Sequence, residues 1–187
     1  MANSRIIPTT RPADLVTFTL KIEDTQIPAT INVQSIVVDK EINKIPTARI
    51  CILDGEPALE DFKVANQDLF IPGKQIEILA GYRSDESSIF KGIIITQRIR
   101  VRSNSSQLIV DCKDQTVKLT IGRKNKYYFD KTDSDVIEEI ISNYDLDNSI
   151  DATSVQHKEL VQFDCTDWDF IITRLEANGC VCIADEN

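Results

Sequence analysis

Asp167 and Asp169 stand two residues apart in TDWDF, and a lone histidine, His157, precedes them in TSVQHKEL. A paired-carboxylate site requires both groups to converge on one substrate bond. Residues two apart on a helix point to different faces, so this pair reads instead as negative charge at a helix N-terminus. Glu138 and Glu139 are adjacent and read as solvated. His157 has no Ser or Cys motif beside it, and an exposed loop histidine fits it better than a general base. Cys180 and Cys182 would share one face of a strand and could form half of a metal site. With five cysteines, no CxxC pair and no second histidine, the reading for all of them is buried thiols packing as small hydrophobes. Trp168 could stack on a ligand, but its place on an apolar stripe reads as a core anchor. No Gly-rich phosphate loop, HExxH or GxSxG occurs in the sequence. These residues predict no enzyme, no cofactor and no metal.

The elements that would position these residues are legible in 161–183, VQFDCTDWDFIITRLEANGCVCI. This segment predicts a strand, a capped amphipathic helix and a second strand. Thr166 is the expected N-cap, with the Asp169 carboxylate completing a capping box on a free backbone N–H. Trp168, Ile171, Ile172 and Leu175 recur at helical spacing as one apolar stripe. Asn178-Gly179 stops the helix, and Val181 and Ile183 alternate as a strand. Upstream, Thr132 caps a helix reaching about Tyr144, with Asp133 and Asp135 in its first turn and Val136, Ile137, Ile140 and Ile141 as its apolar face. Residues 126–129, KYYF, form a short aromatic strand or turn, and 147–153 a polar connection. The first half alternates as strands over 16–22, 31–38, 48–53, 75–82, 89–101 and 107–113, with a helical turn or two expected within 57–64 and polar 84–88 as a separator. Six or more strands with short turns suggest a closed or nearly closed antiparallel barrel. Gly92 inside a strand marks a bend or a close backbone approach. The expected division is 1–115, a β-barrel, and 116–187, an α+β region with two helices.

Charge separates the same halves. Residues 1–103 carry 13 Lys/Arg against 13 Asp/Glu, and residues 104–187 carry 8 against 17, the whole of the net −9. A basic run interrupts the acidic half: Lys113, Lys118, Arg123, Lys124 and Lys126 against Asp114. Acidic surroundings disfavour phosphate, so nucleic acid is not expected; a solvated hairpin surface and an intersubunit contact with the acidic segment both remain. No stretch approaches the roughly 18 apolar residues of a membrane span. MANSRIIPTTRPAD lacks the apolar core of a signal peptide, so the chain is expected to be made and kept in the cytoplasm.

The pattern of aromatic-Asp, TDWDF, Arg174, ANG and a hydrophobic strand resembles the hub region of contractile-tail spike proteins. These are VgrG, the tip protein of type VI secretion, the Rhs-element Vgr proteins and the phage late-control D proteins. Phe90-Lys91-Gly92-Ile93-Ile94, residues 132–144 and residues 161–183 carry the resemblance in the family's order, with Gly92, Thr166, Asp167, Trp168, Asp169, Phe170, Arg174, Asn178 and Gly179 as its structural signature. The resemblance implies a phage tail hub-like barrel followed by a smaller α+β region that leads into a second barrel. It implies a homotrimer of quasi-sixfold symmetry that docks a needle on a hexameric, Hcp-like tube and delivers effectors, held in the cytoplasm until the apparatus fires. Family members are much longer than this chain, which ends at Asp185-Glu186-Asn187. An N-terminal fragment is therefore the expectation, with trimerisation left to the full-length parent. The runner-up is a monomeric β-barrel ligand-binding module, or a small enzyme whose site has no recognised motif.

Overall fold

The computed structural model describes residues 15–55, 61–82, 85–102 and 106–185. Residues 1–14, residues 57–60 of the expected helical turn, Ser84 and the terminal Glu186-Asn187 lie outside the described residues.

Period-two burial builds the larger core. Seven strands, β1 (Val16–Ile22), β2 (Thr25–Gln26), β3 (Val33–Asp39), β4 (Thr47–Leu53), β5 (Gln75–Tyr82), β6 (Asp85–Val101) and β7 (Ser106–Lys113), form one antiparallel sheet in the order β2-β1-β5-β6-β7-β4-β3. Leu20 and Ile22, Ala48, Ile50 and Ile52, Ile76 and Ile78, and Leu108, Val110 and Cys112 alternate inward and pack with Phe70, Phe90 and Ile94. Intervening side chains, such as Arg49 and Asp111, face out and pair across strands at 2.6 Å. The polar residues 85–88 do not separate the hairpin strands as expected, because β6 begins at Asp85, opposite Tyr82.

β6 turns the corner of the sheet. Its first half pairs with β5 as far as Ile93↔Gln75, and its second half pairs with β7 from Ile93↔Lys113 onward. A Cβ on Gly92 would lie 2.3 Å from the Lys113 carbonyl oxygen. Only glycine permits that crossing. A bulge between Ile94 and Thr96 adds local twist just beyond it. No ladder joins β3 to β1 among the described residues. The barrel is nearly closed, and an apolar cleft of about 480 Å³, lined by Val16, Phe18, Val33, Ile36, Val38 and Ile78 among others, marks the seam.

The helical turn expected in 57–64 is not seen over 61–64, where a bridge and turns run instead. Asp54, largely buried, accepts the N–H groups of Gly55 at 2.9 Å, Val64 at 3.0 Å and Ala65 at 2.7 Å, satisfying backbone donors that a helix would have paired internally.

The second core is assembled from β8 (Lys124–Thr132), α1 (Asp133–Ile141), β9 (Gln156–Cys165) and α2 (Asp167–Ala177), preceded by a 3-10 helix at Gln115–Thr120. β8 and β9 pair antiparallel, with Tyr128 opposite Leu160, so the aromatic run is a full strand and β9 begins five residues before Val161. Leu119, Tyr128, Val136, Ile137, Ile140, Trp168, Phe170 and Ile171 are buried together, and the rings of Tyr128 and Phe170 stack 6.0 Å apart. Residues 181–183, expected as a strand, have no ladder partner among the described residues. Alternation supplies strand propensity, but a strand needs a neighbour to satisfy its backbone.

Candidate functional site

The signature helix α2 is held by two buried carboxylates, each placed one residue after a threonine N-cap. Thr166 Oγ1 accepts the Asp169 N–H at 3.1 Å and donates to Asp169 Oδ2 at 2.7 Å. The expected capping box therefore differs: the Asp169 carboxylate accepts a hydrogen bond from the Thr166 hydroxyl and not from the Thr166 N–H. At α1 the reciprocal box does form, with Asp135 N to Thr132 Oγ1 at 3.2 Å and Thr132 N to Asp135 Oδ2 at 3.0 Å.

Asp167 does not serve as a surface charge at the helix end. Only 2% exposed, it accepts from Gln162 Nε2 at 2.8 Å, from Lys124 Nζ at 2.6 Å and from the Tyr144 hydroxyl. Burial pushes its pKa up, but the hydrogen bonds from Gln162, Lys124 and Tyr144 outweigh that and hold it below the usual carboxylate value. Gln162, fully buried, also meets the Tyr128 hydroxyl at 3.3 Å.

Asp133 is the second buried anchor. Arg174 reaches it with Nε at 2.5 Å and Nη2 at 3.1 Å, Asn178 Nδ2 at 2.8 Å and His157 Nε2 at 3.0 Å. Nε2 is assigned the proton, because a lone pair there would face the carboxylate. Burial raises the Asp133 pKa, but donation from Arg174, Asn178 and His157 prevails and drives it far below the ordinary range. His157 is thus a half-buried residue of β9, not an exposed loop histidine. Its partner lies 24 residues away on α1, beyond the reach of local sequence reading.

Asn178 joins the two helices. Its side-chain amide also donates to the Arg174 carbonyl at 2.8 Å, while Gly179, at φ 68°, closes the helix end. The N–H of Cys180 bonds the Leu175 carbonyl at 2.9 Å and that of Gly179 the Glu176 carbonyl at 3.1 Å, a Schellman arrangement. The buried face of α2 runs through Asp167, Trp168, Phe170 and Ile171, with Ile172 and Leu175 only partly covered, so the stripe is rotated toward Phe170. Gly92 is remote from this cluster in the chain and acts at the barrel corner.

Three of the five residues of the basic run are paired within the chain. Lys124 pairs with Asp167, Lys126 with Glu139 at 2.6 Å and Arg123 with Asp164 at 3.1 Å. The acidic half thus neutralises much of it intramolecularly. Among the cysteines only Cys112 is fully buried, where desolvation and then Asp111 push its thiol up to about 12; the other four are partly exposed and all are free. No cluster of metal-ligating side chains occurs among the described residues. With their oxygens occupied by donors, Asp133 and Asp167 have little capacity left for proton transfer. The arrangement locks elements together.

A β-barrel carrying an α+β unit is a fold that this chain shares with solved tail and secretion-system proteins. An E. coli component of the type VI secretion system, described as structurally similar to the T4 tail proteins gp27 and gp5, matches with TM-score 0.60 and 14% identity over 83% of this chain and 42% of its own. A 43 kDa prophage tail protein from Shewanella oneidensis matches with TM-score 0.68 and 8% identity over 88% and 49%. A chain of the Francisella PdpA–VgrG complex matches with TM-score 0.54 and 14% identity over 87% and 25%. The chain thus spans a quarter to a half of the length of these structures. No curated protein matches it. The family model that matches, over residues 12–187, is the Alg8 N-terminal domain, and the chain belongs to that family. The expected resemblance to contractile-tail spike proteins holds broadly, at the level of fold, and the family model that matches is the Alg8 N-terminal domain and not VgrG.

Proposed function

We propose that the chain is a non-enzymatic structural unit of the hub or spike of a contractile injection machine. Residues 1–115 supply a first hub barrel and 116–187 an α+β region adjoining a second. The observation that supports this is the shared tail-protein fold along nearly the whole chain, with a signature helix anchored by internal polar contacts. In this reading the full-length parent is a homotrimer that docks a needle onto a hexameric, Hcp-like tube and carries effectors. It waits in the cytoplasm and leaves by injection, with neither nucleic acid nor direct membrane insertion involved. No helix among the described residues is long and apolar enough to cross a membrane.

Co-sedimentation of the parent protein with its tube protein tests the proposal. Retention of the parent on assembled tubes is the expected result. A parent that stays monomeric and never accompanies the tube would overturn it and favour the monomeric binding module.

A further inference from the structure

Leu108, Val110 and Cys112 of β7 fill the barrel, so Ile109, Asp111 and Lys113 point outward. Strand register sets Arg49 and Thr96 beside Asp111, Cys51 and Arg98 beside Ile109, and Leu53 and Arg100 beside Gln107. We infer that this outward face of β4, β7 and the second half of β6 is a docking surface for an acidic, extended segment of a partner protein, in which carboxylates alternate with apolar side chains. The inference goes beyond the hub reading and does not rest on it.

Charge selects the sign of the occupant. Asp111 accepts from Arg49 Nε at 2.6 Å and from Thr96 Oγ1 at 3.1 Å, and Arg98 Nη2 lies 3.1 Å from it, so this one carboxylate is fully engaged. Arg100, Arg102 and Lys113 are exposed and have no ion-pair partner among the described residues. Arg98 and Arg100 leave the same side of β6 about 6.7 Å apart, twice the rise of a strand. Alternate carboxylates of an extended segment repeat at that distance, and each arginine fork can take one of them by two hydrogen bonds.

Apolar area selects its kind. Ile109 is only 5% exposed yet belongs to neither core, because it faces away from the barrel interior. Beside it Cys51 is half-buried and Leu53 is exposed. Apolar side chains of a peptide can lie on this strip between the arginines, as in the mixed centres of protein interfaces. Nucleic acid brings no such side chains, and the net charge of −9 repels its phosphates. The described C-terminal residues meet the barrel elsewhere: Cys182 bonds Asn43, ahead of β4, whereas Arg100 lies level with Leu53 at the far end of that strand.

The probe is a fluorescein-labelled peptide of alternating glutamate and valine, followed by anisotropy with the complete 187-residue chain and with its full-length parent. Saturable binding to both is expected. Arg100→Gln with Arg102→Gln should weaken it about tenfold with an unchanged melting curve, since neither residue is tied into the fold. The charge-matched pair Lys91→Gln and Lys158→Gln, away from this face, should leave it intact. Equal loss in both pairs would reduce the effect to general charge attraction and overturn the site. Binding by the 187-residue chain but not by the parent would mean that later residues of the parent cover the face, and would overturn a separate partner. Tighter binding of a labelled oligothymidylate would overturn the chemistry proposed for the partner. Failure of the peptide would overturn the inference, and self-association abolished by the arginine pair would then assign the face to a second copy of this chain. Tube co-sedimentation is a separate readout, so the hub reading stands or falls independently.

Discussion

Trp168 is the bulkiest side chain that α2 buries, at 9% exposure, and it packs among Tyr128, Phe170 and the isoleucines of α1. Trp168→Ala should therefore cost about 3–5 kcal/mol in urea denaturation, as large aromatic truncations in cores do. A loss under about 1 kcal/mol would mean that the ring contributes little to the core. Asp133 gives a charge-based counterpart. Removing it by Asp133→Asn strands Arg174, whose side chain is 20% exposed, at a cost of about 3 kcal/mol, the low end for breaking a buried pair. The sign of its pH dependence follows from the depressed folded pKa. Its contribution is fully present above the unfolded value of about 3.9 and is lost as pH falls below that toward the folded value. The wild type should lose stability on acidification below about pH 4, and Asp133→Asn should show a shallower slope there. Parallel slopes for the two proteins would count against the Asp133 lock.

Among the elements, the corner of β6 and the cap of α2 make the sharpest demands. Gly92→Ala places a methyl against the Lys113 carbonyl, a backbone atom that no rotamer change can move aside. A destabilisation of about 1–3 kcal/mol by overpacking is expected in the same denaturation measurement. Gly73→Ala is a useful contrast, since nothing lies within 4 Å of the added carbon and only its φ of 98° opposes it. Thr166→Ala removes the acceptor for the Asp169 N–H and should cost about 0.5–2 kcal/mol. Because Asp167 is separately anchored by Lys124, Tyr144 and Gln162, the helix should remain docked in that variant, and its near-ultraviolet circular dichroism should match the wild type.

For the whole molecule, the consequence concerns assembly. Under the hub reading, this chain by itself should sediment as a monomer or weak oligomer, and the complete parent as a trimer. Three subunits divide a ring into modest pairwise contacts, and each association costs several kcal/mol of lost freedom. The net charge of −9 adds repulsion at low salt that is screened beyond roughly 10 Å at about 0.1 M. Sedimentation velocity at two ionic strengths checks this, and a tight trimer of the 187-residue chain would contradict it.

The six longer strands of the barrel, both helices, their threonine caps and the Asn178-Gly179 stop were readable locally, because alternation, helical spacing and turn chemistry act over a few residues, whereas the two-residue β2 was not. A further signal was present too. Asp133 shares its helix face with Val136, Ile137 and Ile140, and Asp167 shares one with Phe170 and Ile171, so each acid sits in register with the core. The donors that make such burial tolerable were not readable. Arg174 and His157 reach Asp133 from 41 and 24 residues away, and Lys124 and Gln162 reach Asp167 from 43 and 5. That residues 181–183 have no ladder partner among the described residues was equally hidden, since alternation announces a strand whether or not a neighbour exists to bond it. Local periodicity by itself determined most of the elements, and which face the longer barrel strands and α1 turn inward. Only tertiary structure decided which charges are buried, because that depends on desolvation and on partners that the fold, not the spacing, brings together.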